Sequence, residues 1–400
     1  MGAVPLRLRR FFGPSALVLA LAACRPAGPA AAPVQQVTTP PPVEPGPTSA
    51  REVPEPEVRP QAPVQGPGAG LTAALAERRA QGLAALDAGR FDVARQAFAE
   101  VLDASPGNLA TQALYDAATQ AMLAAQSQAG AEFANRSATI LPAPPWTYTL
   151  RRKVPAAGAK GLRLVQVAER RNAVTDVDEW LVRNDIVLPE YEVPNPMRGE
   201  PGALPPTIPP TFGKFLLVQA IKQDGLNILF YGPDYSGGRF VAVQRADSAE
   251  IVAFFDFDAW AFAPEALPGE RQFVEQRANW AAVEGEVLYV AHGHRTYAKS
   301  SKGANAYISA LDLRTGELLW RSAPLVANAA NFVIRGGHVI TGYGFTAEPD
   351  FLYVLDRATG KTLEKVKVKS GPEYLFVRDG KLYVRCYDVD YEFALREGGG

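Results

Sequence analysis

The sequence is short of the residues on which much protein chemistry depends. It has two cysteines, Cys24 and Cys386, and three histidines in 400 residues. A disulfide framework is therefore not expected. Cys386, in the mostly apolar run from Leu382 to Tyr387, reads as a buried small hydrophobe. Excess charge of one sign is also missing: 41 Lys and Arg against 42 Asp and Glu leave a net charge of −1. That balance gives no clustered basic footprint for nucleic acid. No Gly-x-Ser-x-Gly elbow, phosphate-cradling glycine loop or His-Glu-x-x-His occurs. The Lys299-Ser300-Ser301-Lys302-Gly303 stretch reads as a polar loop between strands, so no catalytic residue is nominated. The N-terminal apolar run, Phe11 to Leu21, is too short to span a bilayer as a permanent helix.

What is present is a change of regime along the chain. Arg7, Arg9 and Arg10 precede the apolar run, and Leu21-Ala22-Ala23 leads into Cys24, the layout of a cleaved export signal over residues 1–23. From Arg25 to Gly70, thirteen of 46 residues are proline and none is aromatic. Residues 24–70 thus read as a disordered, partly polyproline tether with nothing to form a core. Residues 71–128 are helical in pattern. Thr72, Asp92 and Asn108 can each cap a helix, Gly89 suits a C-terminus, and Ser105-Pro106-Gly107 stops the second helix. Residues 129–145, ending in Leu141-Pro142-Ala143-Pro144-Pro145, read as a linker.

Residues 146–397 are β-like. Two stretches 44 residues apart carry the clearest signal: Ala310 to Trp320 and Val354 to Glu364. Each has a β-type run ending in Asp, a turn closing on Thr-Gly, and a second β-type run. Asp312 and Asp356 can bond the N–H groups of their own turns, as can Thr315 and Thr359. Gly316 and Gly360 take the φ > 0 position. A repeat of about 40–50 residues built on such a hairpin is the signature of a propeller blade. Units of four strands are expected over Phe215–Phe257, Phe273–Ser322 and Ala327–Lys369. An irregular blade is expected from Leu162–Val167 and Glu179–Leu188. A last blade is expected from three C-terminal strands closed by Trp146–Leu150, which gives about five blades, with four to six allowed.

Three resemblances sharpen this. Leu21-Ala22-Ala23-Cys24 resembles the lipobox of bacterial lipoproteins, which implies cleavage before Cys24 and lipidation of its thiol. Arg25 is not the Asp that retains family members in the inner membrane, which implies an outer-membrane location with the domains facing the periplasm. The spacing Gly82, Gly89, Phe91, Ala94, Phe98, Pro106 resembles one tetratricopeptide unit, with Ala85 where an aromatic is usual. Ser309-Ala310-Leu311-Asp312 with Thr315-Gly316 and Trp320, and Tyr353-Val354-Leu355-Asp356 with Thr359-Gly360, resemble the pyrroloquinoline-quinone-like propellers. That family includes quinone-dependent dehydrogenases and non-enzymatic scaffolds, among them the propeller lipoprotein of the outer-membrane barrel assembly machinery. In the second hairpin Glu364 stands where the tryptophan joining neighbouring blades belongs.

Other constellations point less far. His292-Gly293-His294 puts two imidazoles on one strand face, part of a metal site, but His338 is the only other histidine. Asp256 and Asp258 read as a hairpin end, and Asp234 with Ser236-Gly237-Gly238 as a turn. The expectation is a mainly β protein with a helical preface, acting as a non-enzymatic envelope scaffold. It would bind other cell-envelope proteins, and the membrane through its lipid, with no cofactor, resident metal or nucleic acid. A quinone- or metal-dependent periplasmic oxidoreductase and a ligand- or glycan-sensing propeller are the alternatives.

Overall fold

The structure is a computed structural model. It describes residues 71–142, 149–150, 154, 161–172, 176–195, 202–257 and 274–397. Cys24 and residues 1–70, expected to be an export signal and a tether, lie outside these residues. Leu71–Gly400 form one compact unit, mainly β, with four α-helices towards its N-terminal side. Among the described residues no helix is long and apolar enough to cross a membrane.

Helices α1 (Ala73–Asp87), α2 (Phe91–Ala104) and α3 (Leu109–Ala134) follow the capping signals. The Thr72 side chain accepts from Leu75 N–H and Asn108 accepts from Thr111 N–H. Helix α3 runs further than the sequence suggested, so residues 129–134, expected in a linker, are helical. The reason is Phe133. It is buried at the end of α3 among Phe212, Tyr231 and Phe254, with ring centroids 4.9–5.2 Å away, and an aromatic cluster of this size outweighs weak local propensity.

Four antiparallel sheets follow, introduced by an unusual segment. Strands β1 (Thr139–Ile140), β2 (Thr149–Leu150) and β3 (Leu162–Arg171) come before helix α4 (Val177–Arg183), but each belongs to a different later sheet. The first sheet holds β4 (Thr211–Phe212), β5 (Phe215–Gln223), β6 (Leu226–Gly232), β7 (Phe240–Arg245) and β8 (Ile251–Asp256), with β1 added in parallel on β8. The second holds β9 (Arg277–Glu284), β10 (Val287–Gly293), β11 (Tyr307–Asp312) and β12 (Leu318–Arg321), with β2 added on β12. The third is β13 (Val333–Arg335), β14 (His338–Phe345), β15 (Glu348–Asp356) and β16 (Thr362–Lys367). The fourth is β17 (Pro372–Arg378), β18 (Lys381–Cys386) and β19 (Val389–Glu397), completed by β3.

Three expectations are corrected here. Among the described residues there are four sheets, at the lower end of the four to six allowed around the expected five. The strand from Leu162 is no part of an irregular unit: its nine-pair register with β19, Leu162↔Glu397 to Arg171↔Val389, makes it the closing strand of the fourth sheet. Of Trp146–Leu150, the expected closing strand, Thr149 and Leu150 instead pair with Arg321 and Trp320 of the second sheet, while Trp146–Tyr148 lie outside the described residues. The Glu179–Leu188 stretch, expected as a strand, begins as helix α4. Asp176 caps Glu179 N–H at 2.9 Å, Glu179 and Arg183 pair one turn apart, and Val177, Trp180 and Leu181 fall on one buried face.

One apolar core joins the first three sheets, through residues such as Phe230, Val243, Leu288, Ile308, Val339 and Leu355. A second joins the third and fourth through Ile340, Leu352, Leu375, Val384 and Phe393. Helix α4 covers Tyr374 and Phe376 of the fourth sheet. The segment after α4 then bonds the first sheet, with Tyr191 N–H donating to the Ala220 carbonyl and Lys222 N–H to that of Pro189.

Candidate functional site

The repeat-turn residues singled out in the sequence lie where one sheet meets the next. Asp312 Oδ1 accepts from the N–H groups of Arg314 and Thr315, both at 2.9 Å, and Gly316 sits at φ +73°. In the third sheet Asp356 Oδ1 accepts from Ala358 N–H, Thr359 Oγ1 donates to Asp356 Oδ2, and Gly360 sits at φ +71°. The first sheet lacks the motif: Gln244 binds the Thr207 and Ala249 carbonyls, and Ala249 itself takes the left-handed conformation at φ +59°.

Each turn receives something from the sheet before it. Thr139, added to the first sheet, lies over Gly316 of the second, so a methyl at Gly316 would come 3.1 Å from its Oγ1. Trp320 of the second sheet is fully buried across Gly360 of the third, where a methyl would lie 2.3 Å from the indole ring. The indole Nε1–H donates to the Arg357 carbonyl at 3.1 Å. In the third sheet Glu364, at the position equivalent to Trp320, accepts from the backbone N–H of Leu164 in the fourth at 2.8 Å. The tryptophan latch is thus replaced by a carboxylate latch rather than lost. Sequence reading registered only the replacement; the positional equivalence of Trp320 and Glu364 was the available clue.

Two side-chain amides act similarly. Gln223 donates to the Val283 carbonyl and accepts Val283 N–H, tying the first sheet to the second. Asn331 makes the same reciprocal pair with Leu375, tying the third to the fourth. Sequence reasoning missed both, since nothing local distinguishes an amide that mimics a strand.

His292 and His294 each have their own serine. The His292 Nδ1–H faces Gln276 Oε1 at 3.3 Å. Its Nε2 accepts from Ser309 Oγ at 2.8 Å, and that oxygen in turn accepts from Arg321 Nε at 3.0 Å. His294 has the opposite tautomer: Nδ1 accepts Thr296 N–H, and Nε2–H donates to Ser301 Oγ at 2.6 Å. Burial holds the His292 imidazole well below its ordinary pKa, with the Arg321 charge adding to the effect. Burial lowers His294 to about 4, against a small opposing effect of the Thr296 hydrogen bond. Both rings are buried, each beside its serine, and neutral imidazoles at neutral pH suit that setting. Among the described residues no three of His, Cys, Asp and Glu come together as a metal-binding group.

The remaining candidates resolve as contacts within the fold. Asp256 forms a two-bonded ion pair with Arg239, each bond 2.8 Å, and Asp258 lies outside the described residues. Asp234 accepts Ser236 N–H in a turn. Cys386 is fully buried, and burial raises its thiol pKa. In the helical segment a methyl at Gly82 would lie 2.5 Å from the Phe98 ring; Ala94 and Phe98 are fully buried, and Gly89 sits at φ +70°. Phe91 opens α2, and Pro106 follows the Ser105 that ends it.

No protein-family profile matches the chain, and no curated protein matches it. Among solved structures it is similar to the computationally designed Ika8 protein (10% identity, TM-score 0.30), over 45% of this chain and 46% of that one. It is also similar to the designed Ika4 protein (12%, 0.28), over 44% of this chain and 88% of that one. A third is BamB from Moraxella catarrhalis (13%, 0.22), over 50% of this chain and 75% of that one. The chain thus spans under half the length of Ika8.

Proposed function

We propose that this chain is a non-enzymatic lipoprotein of the bacterial outer membrane, anchored by a lipid on Cys24 and carried into the periplasm on a proline-rich tether. Its four sheets are the blades of a small β-propeller, set beside one tetratricopeptide-like helical hairpin, and the assembly is a scaffold for other envelope proteins. Support for a ring comes from the order of the contacts. Successive sheets are latched first to second, second to third and third to fourth, while α4 and the residues after it reach from the fourth back to the first.

The observation that carries the scaffold reading is where the reactive side chains are spent. His292, His294, Asp312, Asp356, Asp256 and Glu364 each hold a neighbouring strand, turn or side chain of the same fold. A chain of this construction offers rigid edges and faces, the substrate of protein recognition.

Mass spectrometry of the mature N-terminus tests the anchor, with acylated Cys24 expected and a free or uncleaved N-terminus counting against it. Photocrosslinking in intact envelopes tests the scaffold. Adducts to a defined envelope protein are expected, whereas dehydrogenase turnover by the purified chain on addition of quinone and calcium would overturn the reading.

A further inference from the structure

The outer edges of the four sheets are treated unequally. Among the described residues, segment 139–171 adds an extra strand to two of them, β1 on β8 and β2 on β12, and supplies the fourth sheet's own outer strand, β3 on β19. At the third sheet its described residues make one backbone-to-backbone bond, from Val154 N–H to the Ala358 carbonyl at the turn, and no described strand pairs with the outer side of β16.

The ladder fixes which groups β16 turns outward. Val368 N–H donates at 3.1 Å to the carbonyl of Asp350, directly opposite, so this is a hydrogen-bonded pair. Two residues back, Val366 faces Leu352, and two further back Glu364 faces Val354, in the same phase. Lys365 and Lys367 occupy the alternate pairs, and their N–H and C=O groups point away from β15. Leu363, beside them, is half exposed. A cleft of about 640 Å³ adjoins the strand, between Lys367 and Asp350 on one side and Gln166 and Tyr391 of the fourth sheet on the other.

We propose that β16 is a docking edge that takes an extended, acidic segment of a partner protein as an added strand, an inference that rests on the scaffold reading. The occupant is a strand because, among the described residues, no strand meets the outward donors and acceptors of Lys365 and Lys367, and because the first and second sheets take an added strand at the corresponding edge. It is acidic because Lys361, Lys365 and Lys367 recur along the stretch while its own carboxylate, Glu364, is engaged with Leu164 N–H and Arg163; of the two carboxylates lining the adjoining cleft, Glu169 is taken up by Lys369 and Asp350 lies on β15. Lys365 is braced over the Phe351 ring and Lys369 is paired with Glu169, so the cationic strip is held in place. The same lysines repel basic strands and would lose hydration without compensation against neutral ones, which is how exposed edges escape indiscriminate pairing.

The test uses the full-length chain in detergent and a short synthetic peptide alternating Val and Glu, labelled for fluorescence anisotropy. Its controls are a copy with a central proline and a copy with Lys in place of Glu. Saturable binding of the acidic peptide alone is expected, together with slowed hydrogen exchange at β16 amides. Lys367→Pro removes an outward donor without touching the β15 ladder and should weaken binding about tenfold. The double variant Lys365→Glu and Lys367→Glu should abolish it, and decides the matter if circular dichroism finds the proline variant unfolded. Equal binding of the proline-interrupted peptide, unchanged binding by the charge-reversed chain, or no saturable binding overturns the proposal. If binding fails while crosslinks to envelope proteins persist elsewhere on the chain, the docking edge falls and the scaffold reading stands.

Discussion

Replacing Trp320 with alanine should be among the most damaging single changes in this chain, and the cause can be isolated. The side chain is fully buried between the second and third sheets, and its Nε1–H is bonded to the Arg357 carbonyl. Truncating a buried Trp costs about 3–5 kcal/mol. Gly360→Ala tests the partner. The left-handed φ of +71° costs an alanine about 1–2 kcal/mol. A methyl 2.3 Å from the indole adds an overpacking cost of about 1–3 kcal/mol. In the Trp320→Ala background the second cost vanishes and the first remains, so the double-mutant cycle should show a coupling of about 1–3 kcal/mol. Urea unfolding followed by far-ultraviolet circular dichroism measures all four corners. A coupling under about 0.5 kcal/mol would refute the idea that the indole is latched on this glycine.

Three further outcomes follow from the same contacts. Glu364→Ala leaves the Leu164 N–H without its acceptor and should cost about 1–3 kcal/mol, with faster hydrogen exchange in β3 than in β10. His292 and His294 have lowered pKa values, so the unfolded chain takes up protons that the folded one refuses. Their stabilising effect is complete above the ordinary histidine pKa near 6.5 and is lost as pH falls below it. For His294 the loss continues to about pH 4, at about 1.4 kcal/mol per pH unit per histidine; His294→Asn should flatten the fall in urea midpoint between pH 6.5 and 4. Gly82→Val should push Phe98 out of the α1–α2 contact and lower the melting temperature, while Gly89→Ala, where only φ is at issue, should cost less.

The parts of the fold that were legible in the sequence are those with short-range causes. The Asp-x-x-Thr-Gly turns build their own hydrogen bonds within five residues, and helices α1 and α2 begin and end at capping residues, so both could be read locally. The placement of segment 139–171 could not. Leu162–Val167 and Trp146–Leu150 read as strands, but the partners of this segment lie between about 110 and 240 residues away, so only the assembled sheets define which sheet each strand joins. Helix α4 was mistaken for a strand because Trp180, Leu181 and Val182 suit either state, and the choice falls to the Asp176 cap and the apolar face against Tyr374 and Phe376. Among the site residues, the spacing of His292 and His294 suggested a shared ligand. Chain spacing cannot show that a serine from another strand or loop has already taken up each ring.

The central claim is that this chain works by holding other envelope proteins and not by chemistry at its own histidines and carboxylates. Photocrosslinking in living cells, with a photoreactive residue at Leu363 on the open edge and at Tyr387 on the fourth sheet, tests it most directly; both side chains are exposed. The account predicts a defined adduct to an identified envelope protein, preserved when His292 and His294 are replaced by variants that still fold. No protein adduct at either position, together with an envelope phenotype that follows the histidines and not the sheet edges, would contradict it.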